Sequence, residues 1–399
     1  MRILTESLHL HAHCQTGRVD RITPGIIAVF VGAVAGFALF VPFVAASYRR
    51  RGGLRFGRLV LWASALVYFW AIWAYTLLPL PEADSIRCVG SNLDLFELVN
   101  DIGGALGRPG PALTDPAVLQ LLLNVLLFMP LGFFIRVLAG RGILVALAVG
   151  LGVSALIETT QLTGVWGLYS CAYRVFDVDD MLTNTTGAVL GSLLALFVPA
   201  RHRGSGKSAD AAEPRPVTRG RRALAMLCDI IAFSLVSATA GVATQLVLEA
   251  VGRGDLVLEA ELSSILGTLV PAGLWLVVIL ASGRSVGDLA VQLRYRGGPV
   301  PTWLARPLRW AGGISGYVLL GALPTPWSLA GLLFGLATFV LLFTTSAGRG
   351  LPGILSGMSL TDAREGSSGD QSRNSRAATT SASTPTSSVG WSTGAKNGE

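Results

Sequence analysis

Charge is scarce in this chain. Only 14% of its 399 residues are Asp, Glu, Lys or Arg, against roughly 25% in soluble domains. That density cannot furnish a water-facing surface, and the 51% of hydrophobic residues requires a different solvent. Catalytic machinery is scarce too. The four histidines fall into no Ser/His/Asp set. "HLHAHC" offers His9, His11, His13 and Cys14 as soft ligands, but alternate spacing in a terminal segment lacks the framework of a structural zinc site. "DVDDMLTN" is no calcium loop, because the required oxygens are replaced by Met181 and Ala188. The stretch from Gly283 to Gly287 lacks the strand and spacing of a dinucleotide loop. No metal and no cofactor is expected, and the composition points away from an enzyme without excluding one. Net charge is +7, yet the arginines cluster between apolar runs, which excludes nucleic acid as the partner and implies a membrane.

What the chain has is long apolar runs, each measured against the roughly 20 residues that a helix needs to cross the hydrocarbon core. Nine such runs are read, near residues 24–47, 59–80, 118–138, 143–163, 181–198, 223–246, 263–282, 311–323 and 327–343. The expected fold is all-α: a polytopic integral membrane helical bundle of about nine transmembrane helices in two modules. An N-terminal segment (1–22) precedes a five-span module (23–200). A charged linker (201–220), "RHRGSGKSADAAEPRPVTRG", leads to a four-span module (221–362). The Ser, Thr and Gly rich tail (363–399) is expected to be disordered. Arg49, Arg50, Arg51, Arg55 and Arg58 follow the first run, so that loop belongs in the cytoplasm by the positive-inside rule. Alternation then puts the N-terminus outside and the C-terminus in the cytoplasm, with the acidic loops outside.

One acidic cluster stands at the start of the fifth run, in "RVFDVDDMLTNTTGAVLG". Carboxylates at a helix start are favoured by its exposed N–H groups and dipole, so one of the three aspartates is expected to be a cap. Asp177, Asp180 and Asn184 fall on one stripe at spacings of three and four, whereas Asp179 points away and is expected to cap or to face solvent. The stripe continues through Gly187 and Gly191, small residues that admit a neighbouring helix. Asn184 also satisfies the glycosylation pattern, but a glycan would not fit against the membrane. In the fourth run, "SALIETTQL" puts Glu158 and Gln161 on one face at the same membrane level. A carboxylate there is costly enough to mark a functional site. Asn124 lies in the third run, where Pro130 removes a helix hydrogen bond, and Arg174 is placed to pair with Glu158 or Asp177. Cys88 and Cys171 both fall in loops expected outside, and a disulfide between them would hold the long loop over the acidic cluster.

Asn124 with "LFMPLG", then "IETTQL", then "RVFDVDDMLTNTTGAVLG" resembles the VanZ-like family in order and spacing over about residues 20–200. "SNLDLFELV" resembles that family's preceding segment, except that the family more often has a proline before the phenylalanine. The resemblance implies a cell-envelope membrane protein linked to low-level resistance to glycopeptide antibiotics of the teicoplanin type. Its motif positions here are Asn124, Pro130, Glu158, Gln161, Arg174, Asp177, Asp180, Asn184 and Gly187.

The second module resembles the RDD family over about residues 215–362. "RGRRALAMLCDIIAFSL" sets Arg222 and Asp229 two turns apart on one helix face. "GRSVGDLAVQLRYRGG" matches the cytoplasmic segment, with Asp288 where the family more often has a basic residue, and Arg306 follows as a further candidate. Two function classes stay open. One is an outer-leaflet site that recognises a polar head group, with membrane lipid, a cell-wall lipid precursor or a glycopeptide as partner. The other is a transporter or proton-coupled carrier using Glu158 and the Asp177/Asp180 pair.

Overall fold

In hydrocarbon no water is available to hydrogen-bond the backbone, so apolar runs must close their peptide groups internally as helices. The computed structural model describes residues 29–365, except 79, 81–85, 87, 95–96, 109–110, 205 and 346–347. The chain divides into two compact units, Met1–Ala211 and Ala212–Glu399. Among the described residues six helices are long and apolar enough to cross a membrane, so the chain is a multi-pass membrane protein. The N-terminal histidines, Cys14 and the tail from 366 onward lie outside the described residues.

The first unit contains α1 (Val29–Arg51) and α2 (Phe56–Leu77), then a two-residue strand, β1 (Ser91–Asn92), and α3 (Glu97–Gly107). Next come α4 (Pro116–Phe134) and α5 (Ile143–Leu162). A single distorted turn, α6 (Gly164–Gly167), and β2 (Phe176–Asp177) lead into α7 (Val178–Leu194). Asp115 caps α4 by accepting from the Ala117 N–H at 3.1 Å, and Pro116 suits the first helical position, where its missing N–H costs nothing. With Pro130 inside it, α4 ends in a π turn over Ile135–Ala139. A 3₁₀ turn over Ala195–Phe197 prolongs α7 to about 31 Å.

Small residues decide how α7 sits. A Cβ on Gly187 would overlap the carbonyl of Val125, and one on Gly191 the carbonyl of Met129; reciprocally, Gly132 lies against the Ala188 carbonyl. Backbone therefore touches backbone between α4 and α7, the close approach that small residues permit in membranes. On its other side, α7 brings Ala188 against Gly150 of α5. Two neighbours cover two faces, so Asp179, Thr183, Asn184, Gly187, Ala188, Gly191 and Ser192 are all buried.

The second unit opens with α8 (Arg219–Ala250), capped by Thr218, followed by α9 (Gly254–Glu259) and α10 (Glu261–Ser282). A short helix α11 (Val286–Ala290) and strand β3 (Leu293–Arg296) follow. Then come α12 (Thr302–Ala311), α13 (Ile314–Gly321), α14 (Leu329–Thr344) and α15 (Gly350–Ser356). The chain returns as β4 (Ser359–Asp362), antiparallel to β3 with Leu293 opposite Asp362. Phe233, Ala272, Trp275 and Ile279 form the core between α8 and α10.

Two expectations change. The run at 311–323 is not a spanning helix: Gly312 and Gly313 break it, and the remaining α13 has eight residues, about 12 Å against a hydrocarbon core of about 30 Å. The expectation that residues 363–365 belong to the tail also changes, because Arg364 is buried against Asp362.

Candidate functional site

Four helices, α2, α4, α5 and α7, and one loop converge at one end of the first unit. Asn124 of α4 donates to Asp180 Oδ1 at 2.6 Å. Asn184, one turn along α7, donates to Ser154 Oγ of α5 at 2.9 Å, which leaves no room for a glycan. Glu158, buried in α5, accepts the N–H of Asp177 at 3.1 Å. Gln161 donates to the Thr76 carbonyl of α2 at 2.8 Å, and Arg174 donates to the same oxygen at 3.1 Å. The side chains of Asn124, Glu158, Gln161, Arg174, Asp177, Asp180 and Asn184 line one cavity of about 300 Å³. The structure thus brings together the seven polar candidates of this module but not Pro130 or Gly187, and Arg174 pairs with a carbonyl rather than with Glu158 or Asp177.

The helix start is built differently from expectation. Asp177, not Asp179, is the cap: its Oδ1 accepts the Asp179 N–H at 2.9 Å. Asp179 is buried, 5% exposed, and does not face solvent. Asp177 also receives Asn92 Nδ2 at 3.4 Å from the strand that pairs in parallel with its own, Asn92 opposite Asp177. The Cys88–Cys171 disulfide lies beside this pair, with the Val89 N–H on the Ala172 carbonyl at 3.1 Å. Loop and helix start are therefore stitched together at the cavity wall. Gln120, Tyr75, Thr76 and the apolar Leu127, Ile157 and Val175 complete the lining and were not singled out. Gln120 was findable, because it lies four residues before Asn124 and so on the same helix face.

The second unit gathers a separate charged cluster. Asp229 accepts from Trp275 Nε1 at 3.0 Å, Ser285 Oγ at 2.7 Å and the Gly287 N–H at 2.8 Å. Arg222 donates to Asp288 Oδ1 at 2.9 Å, and Arg309 pairs with the other oxygen. Both guanidinium groups lie over the Tyr295 ring, at 5.6 and 4.3 Å from its centroid. Burial pushes the Asp288 carboxyl up, but Arg309 and Arg222 more than offset it and hold the group below the usual carboxylate range. Arg306 stays outside this cluster, donating to the Leu280 carbonyl; Arg309, one turn further on, is the residue that enters. Asp288 had a legible signal in "SVGD", a capping box that the structure forms with Ser285.

Among the described residues no group of His, Cys, Asp and Glu could hold a metal ion. Comparison with curated proteins and with solved structures finds no match. Residues 59–199 match the family model for VanZ/LLP1, and that stretch contains every residue lining the polar cavity of the first unit.

Proposed function

We propose that this VanZ-like membrane protein of the cell envelope recognises a polar head group in the cavity of its first unit and so lowers sensitivity to teicoplanin-type glycopeptides. The observation that carries the reading is the convergence of Asn124, Glu158, Gln161, Arg174, Asp177, Asp180 and Asn184 on one cavity. The buried carboxylate of Glu158, the half-buried ones of Asp177 and Asp180, three amides and the exposed guanidinium of Arg174 offer both donors and acceptors, as a hydroxylated or amide-bearing head group requires. The partner on this reading is a cell-wall lipid precursor or the glycopeptide itself, reached among membrane lipids. The cavity lies outside, with the N-terminus outside and the C-terminus cytoplasmic. Two independent features support that side: the arginines after α1, and the disulfide, which persists in oxidising compartments. The second unit is read as an RDD-type module, supported by Arg222 and Asp229 on one face of α8, while Asp288 departs from that family's usual residue.

Deletion and overexpression, tested against a panel of glycopeptides and lipoglycopeptides, decide the matter: sensitivity should rise and fall respectively. Unchanged sensitivity to every compound would remove the resistance reading. The alternative, a proton-coupled carrier, is favoured by the placement of Glu158, Asp177 and Asp180 around one cavity. Glu158→Gln separates the two, because the glutamine keeps an acceptor for the Asp177 N–H. Recognition should survive in part; proton transfer should be abolished.

A further inference from the structure

In the second unit a cavity of about 460 Å³ opens beside the charged cluster, within the size range of ligand pockets. Its polar end has hydrogen-bond donors without acceptors. Ser315 is 1% exposed and its Oγ has no partner; Arg309 is 3% exposed and its Nε has none, although its other nitrogens are engaged. Ser315 stands in the first turn of α13, a helix whose cap position is Gly313 and which has no side-chain cap. First-turn N–H groups and the positive end of the helix dipole therefore face the same space. The Thr338 hydroxyl, also without a partner, approaches from α14. The nearby carboxylates are not what these donors await. Asp229 already accepts from Trp275, Ser285 and Gly287, and Asp288 from Arg222, Arg309 and Ser285.

The other end is apolar. Ile230 and Phe339, on α8 and α14, line the cavity and are exposed. In a membrane-spanning unit, exposed apolar side chains of this kind face lipid rather than water. Unmatched donors within and an apolar opening without describe an amphiphile bound head first.

We propose that the second unit binds a phosphate-bearing membrane lipid, its phosphoryl oxygens on Ser315 Oγ, Arg309 Nε, Thr338 Oγ1 and the start of α13, and its acyl chains between α8 and α14. The purified full chain in neutral detergent, titrated by native mass spectrometry, tests this with three probes. Phosphatidic acid should bind, diacylglycerol with the same chains should bind at least tenfold more weakly, and glycerol 3-phosphate should not displace the lipid at equal concentration. Ser315→Ala should weaken phosphatidic acid roughly tenfold, the loss of one hydrogen bond to a charged acceptor. Arg309→Lys, which keeps the charge beside Asp288 but lacks Nε, should do likewise. Should neither variant fold, Thr338→Val, which keeps the side-chain shape at a half-buried position, carries the same expectation. Equal binding of diacylglycerol, or wild-type affinity in the folded variants, would overturn the proposal. Displacement by glycerol 3-phosphate would overturn the lipid as occupant in favour of a soluble phosphate compound.

Discussion

Replacing Gly191 by alanine should loosen the first unit although it adds only one methyl group. The new Cβ would overlap the Met129 carbonyl oxygen and lie 2.6 Å from its carbon and 2.9 Å from Met129 Cα. Carbon atoms pack favourably at about 3.5–4.0 Å, so α4 and α7 must part by roughly 1 Å. The obstacle is main chain and cannot turn aside, which puts the cost near the upper end of the ~1–3 kcal/mol typical of overpacking. Alanine's better helix propensity returns about 1 kcal/mol. The net loss is about 2 kcal/mol, or a fall of about 4–8 °C in melting midpoint for a unit of this size. Gly152 on α5 is the control, because a Cβ there meets nothing within 4 Å. Gly152→Ala should raise the midpoint by about 2–4 °C through propensity alone. Scanning fluorimetry of the purified variants in detergent reads both. If Gly191→Ala melted at or above the parent temperature, the backbone contact between α4 and α7 would be refuted.

Further outcomes are expected from the same geometry. Cys88→Ser opens a link spanning 83 residues and should lower stability by about 2–4 kcal/mol, the common range for a native disulfide; melting with and without reductant should converge in the variant. Asp288→Asn leaves Arg222 and Arg309 buried with a neutral partner, and should cost about 3–5 kcal/mol, read as loss of folded protein after heating. Burial pushes the Asp362 carboxyl up, but hydrogen bonds from Arg364, Arg221 and the Arg215 N–H hold it well below the usual range. A depressed folded pKa gives stability that is complete above the unfolded value of about 4 and is lost as pH falls beneath it. The difference in melting between the parent and Asp362→Asn should therefore shrink between pH 5 and pH 3.

The long helices were legible because hydrophobic runs and their arginine-rich borders report the solvent directly. Residues 143–163 were expected and α5 covers Ile143–Leu162. The run at 311–323 misled for the same reason: hydropathy registers apolar residues but not the break that Gly312 and Gly313 impose. In the cavity, spacing placed Asp180 and Asn184 on one stripe, because helix phase is local. The burial of Asp179 was invisible, since it depends on α4 and α5 covering adjacent faces of α7, a fact of tertiary packing. Arg306 and Arg309 illustrate the same limit. Both are basic and one turn apart on α12, and only the packing of that helix selects Arg309 for Asp288.

Asp177 holds three structural posts at once: it caps α7, receives Asn92 from the neighbouring strand and lends its N–H to Glu158. Asparagine can fill every one of them, since it caps helices as well as aspartate does and keeps the same backbone. A single atom exchange, oxygen for nitrogen, thus isolates the negative charge from the architecture that carries it. Lineages of this chain could drift between the two residues wherever only the scaffold matters, and would be held to aspartate wherever the cavity works through its charge.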